Sequence, residues 1–337
     1  MFAIRNPYLM FLGDAPDQLA AKTANGVKVW RPEWCTGQFR LSGCKADLGL
    51  PDMTIAEAAK AGAKTVILGV ANRGGFIPAS WIVELVKALD LGMDIASGLH
   101  TKITEIPALV EAAERNGREL FDVRHPKHDF PIANGKKRQG KRLLAVGTDV
   151  SVGKMFTTLA IDREMQARGM NSDFRATGQT GIFITGAGVS IDAVIADFIS
   201  GSVEWLAPEN EDPNHWDVIE GQGSLFSASY SGVTLGLIHG SQADALVMCH
   251  EIGRPHMRGL PDYPVPAIPE TIEVCLRMAS MVNPDVKFAG ISLNTSNVSD
   301  QEAADFKASI SAETGLPAVD PLKDGVGSIV DYIQANF

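Results

Sequence analysis

The segment Gly147-Thr148-Asp149-Val150-Ser151-Val152-Gly153-Lys154-Met155 has the residue types and spacing to hold a phosphate. It follows a short apolar run at 142–146, expected to be a strand, and opens a stretch from about 154 to 168 that is expected to be a helix. Glycines let a backbone wrap closely around an anion. Successive N–H groups and the positive helix end supply donors, and a lysine adds a point charge. Gly147, Thr148, Asp149, Ser151, Val152, Gly153 and Lys154 are therefore the expected cofactor-binding set. Five residues separate the two glycines, and Met155 stands where a Ser or Thr hydroxyl usually holds Mg²⁺. A thioether is a poor ligand for that hard cation, and Thr157 and Thr158 lie too far along the helix to replace it simply. The loop is expected to grip a phosphorylated co-substrate as a handle, with no metal required. The plainer alternative is an ordinary strand-to-helix turn with a surface lysine.

A second group, Arg175-Ala176-Thr177-Gly178-Gln179-Thr180-Gly181, follows a short expected strand at 172–174. Arg175 can pair with a carboxylate, and Thr177, Gln179 and Thr180 can donate or accept hydrogen bonds, so Arg175, Thr177 and Gln179 are expected to bind substrate. A Gly-rich loop with a structural arginine is the alternative. Third, the expected strand at 217–219 ends in Glu220-Gly221-Gln222-Gly223, where ligands gather at the carboxyl edge of an open parallel sheet. Glu220 there can take a proton from an amine or bind a metal. His239 and His250 are secondary base candidates, or hydrogen-bonded structural imidazoles. Arg254 and Arg258, in GRPHMRGLP, are expected to clamp an anion near the same rim, although surface solvation explains either one alone.

Weaker signals are Asn294-Thr295-Ser296-Asn297, able to reach a purine or an amide, and two loops in the first half. Asn72-Arg73-Gly74-Gly75 and Ser97-Gly98-Leu99-His100 both follow strands and are read as one wall of an interdomain cleft. Cys35, Cys44, Cys249 and Cys275 show neither C-x-x-C nor zinc-finger spacing and read as buried thiols. A catalytic Cys249 beside His250 is the minority reading.

These groups need a scaffold, and the hydropathy pattern supplies one. Short apolar runs at 65–71, 93–97 and 120–123 alternate with helical stripes at 79–91 (Ile82, Leu85, Val86, Leu89) and 106–116. In the second half, runs at 142–146, 217–219, 245–249 and 288–293 alternate with helical patterns, including Ile272, Cys275, Leu276 and Ala279. A double stripe over 193–206 (Val194/Phe198/Trp205 and Ile195/Ile199/Leu206) predicts one wide buried face. Strands alternating with helices indicate parallel βαβ units, hence an α/β fold class. The polar, basic stretch 127–141, KHDFPIANGKKRQGK, separates two halves as a linker or exposed crossover. The expected division is an N-terminal Rossmann-like domain at 1–126 and a C-terminal domain with a phosphate loop at 142–337. A length of 337 residues suits two domains.

The net charge of −10 opposes tracking of nucleic-acid phosphates. No apolar run reaches the length of a membrane span, and the first thirteen residues lack a cleavage site, so a cytoplasmic protein is expected. A homo-oligomer is the default for a soluble enzyme.

The strings GTDVSVGKM, FRATGQTG, VIEGQGSL, LGLIHG, CHE and MRG occur in that order. With FLGD, AAKTANG, WRPEWC, GVANRGG and SGLH in the opening half, they resemble the D-glutamate N-acetyltransferase family over nearly the whole chain. That resemblance implies an N-terminal Rossmann-like domain joined to a C-terminal P-loop NTPase-like one. It also implies transfer of acetyl from acetyl-CoA to D-glutamate, giving N-acetyl-D-glutamate and CoA. Under it, Lys154 and the loop amides suit the phosphates of CoA, Glu220 or His239 acts as base, and Arg175, Arg254 or Arg258 meets the acceptor's carboxylates. Backbone N–H groups near Gly178 or Gly221 are expected to stabilise the oxyanion. The GTD…VGK loop with EGQG also resembles dethiobiotin synthetase, which keeps open an ATP-dependent ligase or kinase. A nucleotide-dependent regulatory protein is the reading from another class.

Overall fold

Tyr8–Gly13 begins as an unbroken apolar run after Pro7 and forms a strand whose six residues are all buried. In the computed structural model, which describes residues 4–70, 75–126 and 128–337, this strand (β1) is the hub of the first of two parallel sheets. It is followed by α1 (Lys22–Trp30), β2 (Cys35–Arg40), α2 (Ile55–Lys60), β3 (Thr65–Leu68), α3 (Ala79–Asp90), β4 (Asp94–Ser97), α4 (Pro107–Asn116) and β5 (Leu120–Asp122). The strand order is β2-β1-β3-β4-β5, parallel throughout. Local chemistry sets the ends of these elements. Thr54 and Glu57 close a capping box over the first turn of α2, and Gly117 at φ 59° ends α4. The buried side of α3 is Trp81, Leu85, Ala88 and Leu89, rotated from the expected stripe so that Ile82 and Val86 are only half-buried. Trp81 lies on the buried side of this helix. Its indole donates to Asp14 at 2.9 Å and lies over Gly13, where a Cβ would come within 2.4 Å of the ring.

The second half contains β6 (Lys141–Gly147), α5 (Lys154–Ala167), β7 (Ser172–Arg175), α6 (Gln179–Thr185), α7 (Ile199–Leu206), β8 (Trp216–Ile219), α8 (Ser231–Ser241) and β9 (Ala245–Glu251). It continues with β10 (His256–Met257), β11 (Leu260–Pro264), α9 (Ile268–Ala279), β12 (Lys287–Asn294), α10 (Asp300–Thr314), β13 (Ala318–Val319) and α11 (Gly327–Asn336). Six strands form a parallel sheet in the order β13-β12-β9-β6-β8-β7, and β10 pairs with β11 as an antiparallel hairpin. Leu143, Val218, Ala245, Val247 and Ala289 from the sheet pack with Ile161, Met165 and Ile329 from α5 and α11.

The chain divides into two compact units, Met1–His128 with Gly178–Ala193, and Asp129–Thr177 with Val194–Phe337. Helix α6 thus belongs to the first unit, packed against α1, although it lies inside the range 142–337. The double stripe at 193–206 is not one helix. Ile195 takes an extended backbone (φ −58°, ψ 137°) and is 71% exposed, so the buried helical face starts only at Ile199.

The described part of the basic stretch has neither helix nor strand before Lys141, yet it is fastened to its own unit. The amides of Asn134 and Gly135 donate to the Glu204 carboxylate at 3.0 and 3.1 Å. Arg138 donates to Ala207 O, Gln242 Oε1 and Gly240 O. Lys127 lies outside the described residues, as does Ala71 at the end of the expected first-half strand. Cys249 and Cys275 are buried and Cys35 and Cys44 half-buried, all as free thiols. Among the described residues no helix is long and apolar enough to cross a membrane.

Candidate active site

Strand β6 lies between β8 and β9 and delivers its carboxyl end, Gly147, into the phosphate loop. A Cβ on Gly147 would come within 2.9 Å of Val152 and 3.2 Å of Lys154 Nζ, so only glycine lets the loop turn this tightly. The backbone then passes through left-handed conformations at Ser151 (φ 56°) and Gly153 (φ 105°) before α5 begins at Lys154. Val152 anchors the loop by burying its side chain against Ala145 and Cys249. Lys154 folds back across the loop, 6% exposed, with Nζ donating to Asp149 O at 2.7 Å. No carboxylate among the described residues forms an ion pair with it. Burial pulls its ammonium down to about 8. A buried cation beside the amides of a helix start is an arrangement that can hold an anion.

In the structure Asp149 and Arg254 brace this loop. The Asp149 carboxylate, 1% exposed, accepts from Val150 N at 2.7 Å, from Arg254 Nη1 at 2.7 Å and from Arg258 N at 2.8 Å. Arg254 also donates to Val150 O at 2.7 Å, to Ser151 O at 3.3 Å and to Glu251. Its donors are thus taken up in tying the loop to the end of β9. Arg258 differs. Its backbone is pinned by Asp149, while its side chain is exposed and has no partner among the described residues.

On the β9 side, Thr148 Oγ1 lies 2.9 Å from His250 Nδ1, and the imidazole stacks on Phe306 of α10 with centroids 5.8 Å apart. Burial, with Arg254 nearby, holds this imidazole down to about 4, so it is neutral at pH 7. Strand alternation turns the preceding Cys249 to the opposite face. There it is fully buried, its thiol pushed up to about 11 and donating to Thr157 at 3.5 Å. That environment removes Cys249 as a nucleophile. His239 sits in the last turn of α8, the helix that returns the chain from the carboxyl edge toward the start of β9 at Ala245. The structure therefore brings His250 to the loop and leaves His239 at the far end of its helix. The signal that separates them was in the sequence, since CHE closes a strand whereas LIHG closes a helix.

On the β8 side, Glu220 is 4% exposed and its carboxylate accepts from Thr177 N at 2.9 Å and Gln222 Nε2 at 3.2 Å. Thr177 Oγ1 donates back to Glu220 O at 2.8 Å, so the ends of β7 and β8 are clasped around this carboxylate. Gly221 is required here because a Cβ would meet Ala145 O at 1.7 Å and Lys154 Cδ at 3.0 Å. Arg175, expected to bind substrate, instead donates to Asp217 at 2.6 Å and Asp173 at 3.3 Å. Gln179 belongs to the other unit, where its side chain covers Gly98. Arg175 and Thr177 thus belong to the second unit and Gln179 to the first.

Met155 is half-buried at the metal position, and the hydroxyls of Thr157 and Thr158 donate to Gly153 O and Lys154 O. The amides of Asn294 and Asn297 are directed onto Glu251, at 3.4 and 2.9 Å. Asn72, Arg73 and Gly74 lie outside the described residues.

Residues 131–330 match a family described as a domain of unknown function (DUF1611_C), a P-loop domain, and residues 39–126 match DUF1611_N, a Rossmann-like domain. The chain is 58% identical over 332 residues to a D-glutamate N-acetyltransferase of Tritonibacter scottomollicae, covering 98% of this chain and 99% of that one. It is 50% identical over 327 residues to a D-glutamate N-acetyltransferase of Pseudoalteromonas sp, covering 97% and 98% of the two chains. A crystal structure of a DUF1611 family protein from Anabaena variabilis superposes with a TM-score of 0.85 at 31% identity, over 98% of this chain and 100% of that one.

Proposed function

This chain belongs to the DUF1611 family, and we propose that it is a D-glutamate N-acetyltransferase, moving an acetyl group onto the amino nitrogen of D-glutamate. The observation that carries this reading is the near-full-length identity to two proteins of that activity, 58% and 50%. Acetyl-CoA is the donor that suits the phosphate loop. Its diphosphate would lie against the N-terminal amides of α5 and the Lys154 ammonium, which supply positive charge without a divalent ion.

The arm of CoA from diphosphate to sulfur is about as long as four extended residues, ~14 Å. A loop that grips the phosphates therefore places the thioester well to one side. Successive strands are ~4.8 Å apart, so the β7 end lies ~10 Å across from the β6 end. The Glu220 carboxylate, clasped between β7 and β8, is within a bent arm's reach and is the group assigned as base. It takes a proton from the acceptor's ammonium. The freed amine forms the C–N bond as the C–S bond breaks and its electron pair leaves on sulfur. The first proton passes from Glu220 to the thiolate. The second N–H proton, lost as the amide forms, goes to the vacated carboxylate and on to water. Thr177 and Gln222 hold the carboxylate in place for this step.

The test is to supply acetyl-CoA with D- or L-glutamate in the presence of EDTA, reading thiol release and the mass of the product. The expected product is N-acetyl-D-glutamate. Magnesium-dependent cleavage of ATP with no acetyl transfer would replace this reading with the ligase or kinase.

A further inference from the structure

The two sides of the phosphate loop differ in charge, and so do the two ends of CoA. Beyond its diphosphate, the coenzyme carries a ribose 3′-phosphate at the nucleoside end and an uncharged thioester at the other, where an ammonium must approach. The β8–β7 side presents the Glu220 carboxylate, and its arginine, Arg175, is occupied by Asp217 and Asp173. A phosphate dianion placed there would meet a carboxylate and no uncommitted guanidinium. An ammonium would meet the partner it needs.

The β9 side is the reverse. Arg254 is engaged by Asp149, Glu251 and two loop carbonyls through Nη1 and Nη2. Arg258 lies in the turn of the β10–β11 hairpin with its backbone N–H fixed to Asp149, and among the described residues its guanidinium is uncommitted. A residue whose backbone is pinned to the loop's own carboxylate, and whose guanidinium is uncommitted among the described residues, can offer that guanidinium to a second phosphate.

We propose that Arg258 binds the ribose 3′-phosphate of CoA, so that the coenzyme crosses the loop with its nucleoside toward the β10–β11 hairpin and its acyl arm toward Glu220. This rests on the acetyl-CoA reading above and adds a direction and a specificity to it: the protein selects CoA over dephospho-CoA.

Two measurements test it. The first is kcat/KM with acetyl-CoA and with acetyl-dephospho-CoA, for the wild type and for Arg258→Ala and Arg258→Lys. The second is calorimetric binding of CoA and dephospho-CoA to the same proteins. The wild type should favour the 3′-phosphorylated form by about 10- to 100-fold, the range of a charged hydrogen-bonded contact. Arg258→Ala should reduce that ratio to near one, by losing affinity for CoA alone, and Arg258→Lys should keep part of it. Equal binding of the two ligands by the wild type, or an undiminished ratio in Arg258→Ala, would overturn the proposal. Failure of the wild type to transfer acetyl from either donor would count against the acetyltransferase reading, while the binding ratio still decides the role of Arg258.

Discussion

The two parallel sheets use their buried polar groups differently. In the first unit two buried carboxylates are consumed by their own chain. Asp122 accepts from Ile103 N, Thr104 N and Thr104 Oγ1, and Asp94 accepts from Arg5 and Glu119 N. In the second unit, the buried Lys154 ammonium at the carboxyl edge forms no ion pair among the described residues. Lys154 has a carbonyl where an anion would serve better, and the Glu220 carboxylate is held by donors on one flank of the loop. A polar group closed by its own backbone maintains a fold. One left under-compensated at a sheet's carboxyl edge is available to a ligand.

The contrast can be broken by substitutions in either unit. The largest effect is expected from Lys154→Ala, which should lower kcat/KM for acetyl-CoA by at least ~100-fold, since a charged hydrogen bond to the diphosphate is lost along with its field. Circular dichroism should show the fold retained. Next, Glu220→Gln keeps the shape of the clasp with Thr177 and removes the base. Turnover should fall by about 10²- to 10³-fold with KM for acetyl-CoA changed only a few-fold, as steady-state kinetics would show. Asp122→Ala, in the first unit, should instead cost about 2–3 kcal/mol of unfolding free energy in urea titration, because three donors lose their acceptor, and leave turnover of the folded enzyme unchanged. A loss of turnover there, at unchanged stability, would erase the distinction between the units.

The smallest effect is on pH dependence. Burial holds Lys154 at about 8 in the free loop, and a bound diphosphate favours its charged form. Affinity for CoA should therefore weaken as pH rises through 8, by no more than tenfold per unit, with proton uptake on binding seen by calorimetry in buffers of different ionisation enthalpy. For stability the same group acts in the opposite sense. Its folded pKa lies below the unfolded 10.5, so the unfolded chain holds more protons between about 8 and 10.5, and this group's contribution to stability rises with pH there.

The loop between β6 and α5 is legible because its signal is local: a strand end, two glycines and a lysine close together in the chain. Most strands and helices were legible for the same reason. The buried strand Tyr8–Gly13 went unassigned, although its apolar run between Pro7 and Gly13 carried the signal. What the sequence could not display was commitment. Arg254 and Arg258 read alike, four residues apart, yet one is spent on Asp149, a partner more than a hundred residues away, and the other is not. Arg175 likewise looked available until Asp217 was seen beside it. Gln179 stands two residues after Thr177, but the chain passes from one unit to the other between them. Pairings across such separations depend on the register of the sheet, which periodicity does not encode.

The central claim is that a buried ammonium and a nest of amides grip the coenzyme's diphosphate without a divalent ion. Calorimetric titration of CoA into the wild type and Lys154→Ala, each in EDTA and in excess Mg²⁺, tests it most directly. The account predicts equal wild-type affinity in both solutions and a loss of at least ~30-fold in the variant. Wild-type binding that appears only with Mg²⁺, or a variant that binds as well as the wild type, would contradict it.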